Sequence, residues 1–353
     1  MKTTCFLVAL TLCAASAGAA DRITEQRPVT AFSALELDGP YRVVVHAQGT
    51  PGVRVEGEAA ELARIETVMR GNTLVVRTMP RKGAVFTFGW QRPAALITVT
   101  ASALQTLKAS GSGDVEVDQL AGDNVELVHT GPGNMHASGA VTNLGVRSSG
   151  SGDVDLARLR SASVDLSMSG PGNLKLGAVG LALTADVSGS GDLAAQEMNV
   201  ARASLRQSGP GNVHLAGAAR DFQVQLSGSG DLKACSLAVD SVNVVQRGPG
   251  NACIGGQIRE FVGEMRGSGD LTINTLQARH ARLLMSGPGN AKIGGTVGQF
   301  DAVVRGSGSL EGRGLLANRA DVNASGPGDA ELMLGDDRNS ILTTYDRHGL
   351  HQR

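Results

Sequence analysis

A four-residue glycine motif recurs at a fixed spacing along most of the chain, and it restricts the fold more than any other feature. GSGD begins at residues 111, 150, 189, 228 and 267, with the variant GSGS at 306. GPGN begins at residues 131, 170, 209, 248 and 287, with the variant GPGD at 326. Each series advances by 39 residues, and the two alternate at steps of 20 and 19. One unit is therefore repeated twelve times.

Each unit reads as β-structure, because apolar and polar residues alternate on both sides of the motif. After Asp114, for example, Val115 and Val117 flank Glu116, and a second alternating stretch precedes the next motif. A period of two is typical of a strand with one buried face. Since 19 or 20 residues leave no room for a helix between such strands, successive units can only stack as parallel coils.

The sequence thus predicts an all-β fold, a right-handed parallel β-helix or β-solenoid. It would have about twelve regular coils of 19–20 residues and an irregular N-terminal cap. Right-handedness is expected because parallel crossover connections almost always have that hand. The row six residues before each motif alternates large and small side chains, which allows layers to interdigitate. Its members include Phe222, Val242, Phe261, Ala281 and Phe300.

Composition excludes several other classes of protein. The chain has 48 Gly in 353 residues, but collagen would need Gly at every third position. A disordered chain would lack the 41% of hydrophobic residues found here. The 32 Lys and Arg against 33 Asp and Glu do not form the strongly basic domain of a nucleic-acid-binding protein.

The motifs are expected to form the corners of the coils. Pro followed by Gly, as at Pro132 and Gly133, is typical of a type II turn, which needs positive φ at the glycine. A phosphate-binding glycine loop would require a following helix. No helical pattern follows any copy of the motif.

The fourth motif position alternates between carboxylate and amide, and we expect it to form a ladder along the solenoid. Amides can hydrogen-bond between coils, whereas carboxylates ~4.8 Å apart would repel each other. Alternation separates the carboxylates by ~9.6 Å and offers each one amide donors on both sides. A row of divalent cations is the alternative reading. The ladder residues are Asp114, Asn134, Asp153, Asn173, Asp192, Asn212, Asp231, Asn251, Asp270 and Asn290.

The segments outside the repeat differ from it in composition and residue pattern. Residues 1–20 resemble an export signal, with Lys2, an apolar run and small residues before the expected cleavage site. Residues 21–110 lack the motif and are expected to form capping coils, with a short helix near 59–65. Residues 111–335 would form the regular β-helix, and 336–353 a polar, frayed C-terminal tail. An apolar insertion runs from Val85 to Trp90.

Two cysteines, Cys235 and Cys253, remain after removal of the signal. They fall on outward positions of consecutive coils with an offset of two residues. Such diagonal neighbours are ~7–8 Å apart, beyond the ~4.4–6.8 Å range of disulfides. The extra residue of the 20-residue coil could bring them closer, and export favours oxidation. The sequence is therefore compatible with a disulfide or with two free thiols, and a metal site that includes His214 is the third alternative.

Few other residues suggest chemistry. His136 lies in an outward row with Glu116, Asp155 and Lys175, which reads as pairing of opposite charges across strands. Three arginines that precede motifs form a loose basic stripe, typical of a solvated face. They are Arg247, Arg266 and Arg305. No catalytic, cofactor-binding or metal-binding residues are assigned from these patterns.

Three stretches resemble the head GIN domain family, whose members are exported bacterial proteins described as putative auto-transporter adhesins. They are FSALELDG from Phe32, GNTLVV from Gly71 and LKASGSGD from Leu107, followed by repeated SGSGD and SGPGN. The resemblance implies a parallel β-helix and a cell-envelope location. It implies no established activity and no active-site residues.

We therefore expect a non-enzymatic exported protein, periplasmic, secreted or on the cell surface, that acts as an adhesin-like binding or scaffold solenoid. Its partner would be a polysaccharide or a protein of the envelope or surface, with no nucleic acid, no cofactor and no membrane span in the mature chain. End-to-end self-association is also expected, since solenoid ends expose strand edges. The alternative is a polysaccharide lyase or hydrolase built on a β-helix.

Overall fold

The predicted β-solenoid is confirmed by a computed structural model, which describes residues 22–79, 95–334, 341–344 and 351–352, the last two segments as backbone only. These residues form 24 strands and one helix of four residues. Parallel coils stack in about 11 turns. The export signal and the insertion from Val85 to Trp90 lie outside the described residues.

Strands β9 to β22 build the repeat region, and each pairs in parallel with its neighbours in the adjacent repeat coils. Met135, for example, pairs with Val115 on one side and Val154 on the other. The strands are β9 Val115–His129, β10 Met135–Ser148, β11 Val154–Met168, β12 Leu174–Leu176, β13 Val179–Val187, β14 Leu193–Gln207, β15 Val213–Leu226, β16 Leu232–Gln246, β17 Ala252–Ile254, β18 Ile258–Met265, β19 Leu271–Met285, β20 Ala291–Val304, β21 Leu310–Ala324 and β22 Ala330–Leu334.

Inward side chains of successive coils form one continuous hydrophobic core. Phe222, Phe261 and Phe300 are buried in one row, with the smaller Val242 and Ala281 buried between them. The alternation of large and small side chains in this row is therefore confirmed.

A second bend, opposite in the coil to the glycine corner, accounts for the alternation of 20- and 19-residue units. In β16, one extra residue between Lys233 and Ser236 shifts the pairing with β15. Four of the five shorter coils turn at the same place with a glycine of positive φ. These glycines are Gly139 (142°), Gly217 (112°), Gly256 (102°) and Gly295 (125°).

The motif glycines do not form the type II turns that the sequence predicts. Among the 24 of them, only Gly326 has a φ in the left-handed region, at 136°. Their common property is the absence of space for a side chain. A Cβ on Gly133 would lie 2.1 Å from the carbonyl oxygen of Gly113 in the preceding coil, and one on Gly152 would lie 2.0 Å from that of Gly133. The prediction of turn type was wrong because contact between coils, rather than φ, selects glycine at the corner.

A pair of alanine substitutions tests this explanation. In Gly172→Ala the new Cβ would lie 2.1 Å from the Gly152 carbonyl oxygen, so we expect the free energy of unfolding to fall by about 3 kcal/mol or more. In Gly180→Ala the nearest atom is the Ser161 carbonyl oxygen at 3.9 Å, so the change should stay within about 1 kcal/mol. Urea denaturation measures both. Equal losses would contradict the explanation.

Three polar side chains, His129, Gln207 and Gln246, occupy the same inward position two residues before a GPGN motif and are buried. Each contacts the carbonyl oxygen of the third motif residue of its own coil, and thereby gives a buried corner carbonyl a partner. The distances are 2.6 Å from His129 Nε2 to Gly133, 2.5 Å from Gln207 Nε2 to Gly211 and 2.6 Å from Gln246 Nε2 to Gly250. This role was not predicted from the sequence.

His129 should make stability depend on pH. Burial lowers the pKa of its imidazole, an effect that the hydrogen bond to Gly133 partly offsets. The unfolded chain therefore binds the proton first as pH falls, so stability should decrease as pH drops through about 6.5 and level off below the folded pKa. His129→Gln copies Gln207 and should remove this component. Urea unfolding of both proteins at several pH values measures it, and identical pH profiles would contradict the assignment.

The first coil of the stack begins well before the first GSGD motif. β2 (Ala34–Asp38) pairs in parallel with β8 (Thr106–Ala109), and β3 (Arg42–His46) pairs in parallel with β9. The corner between β2 and β3 also lies against the next coil, since a Cβ on Gly111 would be 2.2 Å from the Gly39 carbonyl oxygen. The solenoid therefore begins one coil before the first glycine motif, in a segment that lacks the motif.

Further strands cover this N-terminal coil. β6 (Thr73–Thr78) and β7 (Leu96–Thr100) pair with β2 and β3 on the side away from the repeats. Antiparallel strands then extend the sheet, with β4 on β7, β1 on β4 and β5 on β6. The bounds are β1 Arg22–Arg27, β4 Gly52–Glu58, α1 Ala59–Leu62 and β5 Ile65–Arg70.

Antiparallel strands also lie at the C-terminal end. β23 (Ile341–Thr344) pairs with β22, and β24 (His351–Gln352) pairs with β23. The segment that the sequence suggests to be a frayed tail therefore contributes two strands to the end of the stack.

Candidate functional site

The corner ladder of alternating Asp and Asn is a continuous, directional series of hydrogen bonds along the solenoid. Each ladder residue from Asn134 to Ser309 donates its backbone N–H to the Oδ1 atom of the ladder residue in the preceding coil, at 2.8–3.1 Å. Each Asn also donates its side-chain amide to the preceding Asp, at 3.1–3.2 Å.

This geometry differs in one respect from the expectation of amide donors on both sides of each carboxylate. Asp153 accepts the backbone and side-chain N–H groups of Asn173, whereas Asn134 turns its Oδ1 towards the backbone N–H of Asp153. Corner N–H groups that have no strand partner thereby gain an acceptor. The ladder fits a structural role at the corner.

Asn173→Asp tests the separation of charges in the ladder. It removes the amide donor to Asp153 and places three carboxylates in adjacent coils. We expect a loss of about 1 kcal/mol in the free energy of unfolding at pH 7 and a smaller loss at pH 4, where the added group can be protonated. Asn173→Ser, which copies Ser309, should show no such pH difference. A loss from Asn173→Asp that is equal at the two pH values would contradict the charge argument.

The structure joins Cys235 and Cys253 as a disulfide, with Cα atoms 5.1 Å apart. Cys253 pairs in register with Lys233, so the offset of two residues is present as expected. The distance is shorter than that of an ordinary diagonal pair because Cys235 lies where the 20-residue coil carries its extra residue. The bond links two consecutive coils on the outer surface.

A surface depression lies on the outer side of β18 and β19, and we call it the arginine depression. Ile258 pairs with Leu276 and Glu260 with His280, so Arg259 alone faces the three residues 277–279. The resulting bulge in β19 separates the coils at the surface. The depression is lined by Arg259, Glu260, Val262, Arg279, His280 and Arg282.

Positive charge in the depression is only partly compensated. Arg259 forms an ion pair with Asp240 at 2.8 Å. Within the described part of the chain, Arg279 and Arg282 form no ion pair. Glu260 accepts a hydrogen bond from Ser241 at 3.5 Å.

His280 contacts Asp301 at 2.7 Å, just beyond the depression. This contact, with a hydrogen bond from Gln299, lowers the pKa of the Asp301 carboxyl group. Asp301 therefore stays charged and is already occupied by two donors. Asp301 also stands opposite Arg282 in the register of β19 and β20 and partly offsets its charge, although the two side chains form no ion pair.

A polar groove continues from the depression towards the N-terminal coils. It shares Glu260 and Val262 with the depression, and half of the Val262 surface is exposed. Its other outward residues stand in register across three further coils. They are Arg202, Asp221, Gln223, Ser241 and Asn243.

The residues singled out from the sequence lie elsewhere on the surface. His136 faces Asp155 of the next coil at 3.9 Å, and Glu116 pairs with Arg42 of the first coil. Of the basic stripe, Arg266 pairs with Glu264. The arginine depression was missed because it depends on a local bulge, although the outward arginines of two consecutive coils, Arg259, Arg279 and Arg282, were a signal.

Among the described residues, no group of three or more His, Cys, Asp and Glu side chains is placed to hold a metal ion. No helix in that part of the chain has the length and apolar character to cross a membrane.

Comparison with a family model gives a match over almost the whole described chain. The model for the putative auto-transporter adhesin, head GIN domain matches residues 31–195, 180–258 and 256–340. No curated protein is similar enough in sequence to count as a match.

Solved structures with distant similarity include three described as putative adhesins. One from Bacteroides fragilis NCTC 9343 is 17% identical, with 89% of this chain and 97% of that chain covered and a TM-score of 0.28. One from Parabacteroides distasonis ATCC 8503 is 16% identical, with 86% and 98% covered and a TM-score of 0.37. One from Parabacteroides merdae ATCC 43184 is 16% identical, with 89% and 96% covered and a TM-score of 0.34.

Proposed function

We propose that this chain, which belongs to the putative auto-transporter adhesin, head GIN domain family, is a non-enzymatic binding protein of the cell envelope or cell surface. It presents the outer faces of the solenoid to a macromolecular partner. Export by the N-terminal segment 1–20 is part of this proposal.

The uniform length of the coils is the observation that carries the proposal. Every interval between motifs from residue 111 to 329 is 19 or 20 residues. Catalytic clefts on a solenoid are built from long loops, which place reactive groups around an enclosed substrate. A surface without such loops offers registered rows of side chains instead, and these suit contact with an extended partner.

The ladder carboxylates support the same view. They are the most regular acidic row of the protein, yet an Oδ1 atom of each from Asp114 to Asp270 accepts a corner N–H group. Their hydrogen-bonding capacity is used in part by the fold. Charged groups of the strand faces, away from the corner, are left for a partner.

Binding to isolated cell envelopes tests the proposal. Labelled exported protein should bind envelopes of the source cell in a saturable manner, and unlabelled protein should compete. Incubation with the envelope polysaccharides should release neither new reducing ends nor unsaturated uronate products. Release of either product would overturn the non-enzymatic assignment, and a lack of saturable binding would overturn the binding assignment.

A further inference from the structure

We propose that the arginine depression and the polar groove form one binding site for a linear polysaccharide that carries anionic groups. Arg279 and Arg282 would hold a carboxylate or sulfate group, and the groove would hold the adjoining sugar units. This inference rests on the proposed binding function, and it names the location of the binding site and the class of ligand.

Charge favours an anionic ligand. Three guanidinium groups and one carboxylate, that of Glu260, line the depression. The nearby carboxylates of Asp240 and Asp301 already contact Arg259 and His280. Guanidinium groups are planar and match carboxylate or sulfate oxygens with paired hydrogen bonds. Because Arg279 and Arg282 have no ion-pair partner among the described residues, their donors are available to a ligand.

The shape of the site favours a linear ligand. The groove and the depression cross five successive coils, from Arg202 in β14 to Arg282 in β19. At a strand spacing of ~4.8 Å, this distance is about 19 Å along the solenoid axis. A site of that length, with its charge concentrated at one end, suits an extended chain better than a small molecule.

The side chains of the groove are suited to sugar units. Gln223, Ser241 and Asn243 offer neutral donors and acceptors in adjacent rows, which suits sugar hydroxyl groups. Val262, exposed between Glu260 and Arg282, adds an apolar contact for the face of a sugar ring. Single-stranded nucleic acids are bound with aromatic side chains for stacking, and the side chains here are of a different kind.

Affinity measurements with three polymers test the site. Purified exported protein is titrated with polygalacturonate, dextran sulfate and neutral dextran at equal concentrations of sugar units. We expect saturable binding of at least one anionic polymer and no saturable binding of dextran. Which anionic polymer binds more tightly distinguishes a carboxylate ligand from a sulfate ligand. Equal binding of dextran, or no binding of either anionic polymer, would overturn the proposal.

The double variant Arg279→Glu/Arg282→Glu should weaken binding of the preferred polymer by about tenfold or more. Arg247→Glu/Arg305→Glu is the matched control, because it makes the same change of charge at exposed arginines near the corners, outside the depression. It should change affinity by less than about twofold. Circular dichroism spectra of both variants should match that of the original protein, since none of the four arginines has an ion-pair partner within the described chain. The thermal midpoint should fall slightly only in the depression variant, because Arg282→Glu faces Asp301. Equal weakening by the two double variants would show general attraction of charge and overturn the site.

The envelope assay separates failure of this site from failure of the proposed function. If the original protein and Arg279→Glu/Arg282→Glu bind envelopes equally well, the depression is not the contact surface and the binding function stands. If the original protein itself shows no saturable binding to envelopes, the proposed function fails.

Discussion

Direct contact between the backbones of successive corners is the constraint on which the rest of this solenoid depends. The corners approach so closely that a Cβ on Gly113 would lie 1.8 Å from the carbonyl oxygen of Tyr41, and one on Gly133 would lie 2.1 Å from that of Gly113. Such proximity lets the corner N–H groups bond from coil to coil, as Gly152 does to Gly131 at 3.3 Å. Glycine is selected because the stack has no room for another residue.

Once the corner backbone is fixed, the neighbouring side chains must satisfy the polar groups that it leaves. On the outside, the Asp and Asn ladder accepts one N–H group per coil, for example at Asn134 from Asp153. On the inside, Gln207 and Gln246 contact the carbonyl oxygens of Gly211 and Gly250. The ladder is continuous, whereas the inner contacts occur in a few coils. The outer polar side chains of the ladder are thus part of every repeat, whereas buried polar side chains at the corner occur in only a few coils.

The parts of the fold that follow from repetition could be predicted from the sequence. Motif spacing and residue alternation were enough for the coil length, the parallel stacking and the interleaved Phe222, Phe261 and Phe300. Prediction failed where the presence of one residue type at a position can have two physical causes. Glycine after proline can indicate positive φ or close contact between chains, and only the second explanation holds at Gly133. Capping coils were predicted for residues 21–110, but the first coil, at Gly39, lacks the motif, so its corner was located only by strand pairing and by contact with Gly111.

The candidate site was beyond sequence reasoning for a related physical reason. Pattern analysis assumes that each residue keeps the position of its equivalent one coil away, and the bulge at residues 277–279 breaks that assumption. In a stack whose core and corners are fixed by contact, an irregular bend is where surface side chains can leave their rows without disturbing the interior. Ala278 at the centre of the bulge remains buried while Arg279 is exposed. Departures from the repeat are therefore the places where a solenoid of this kind can acquire a specific site.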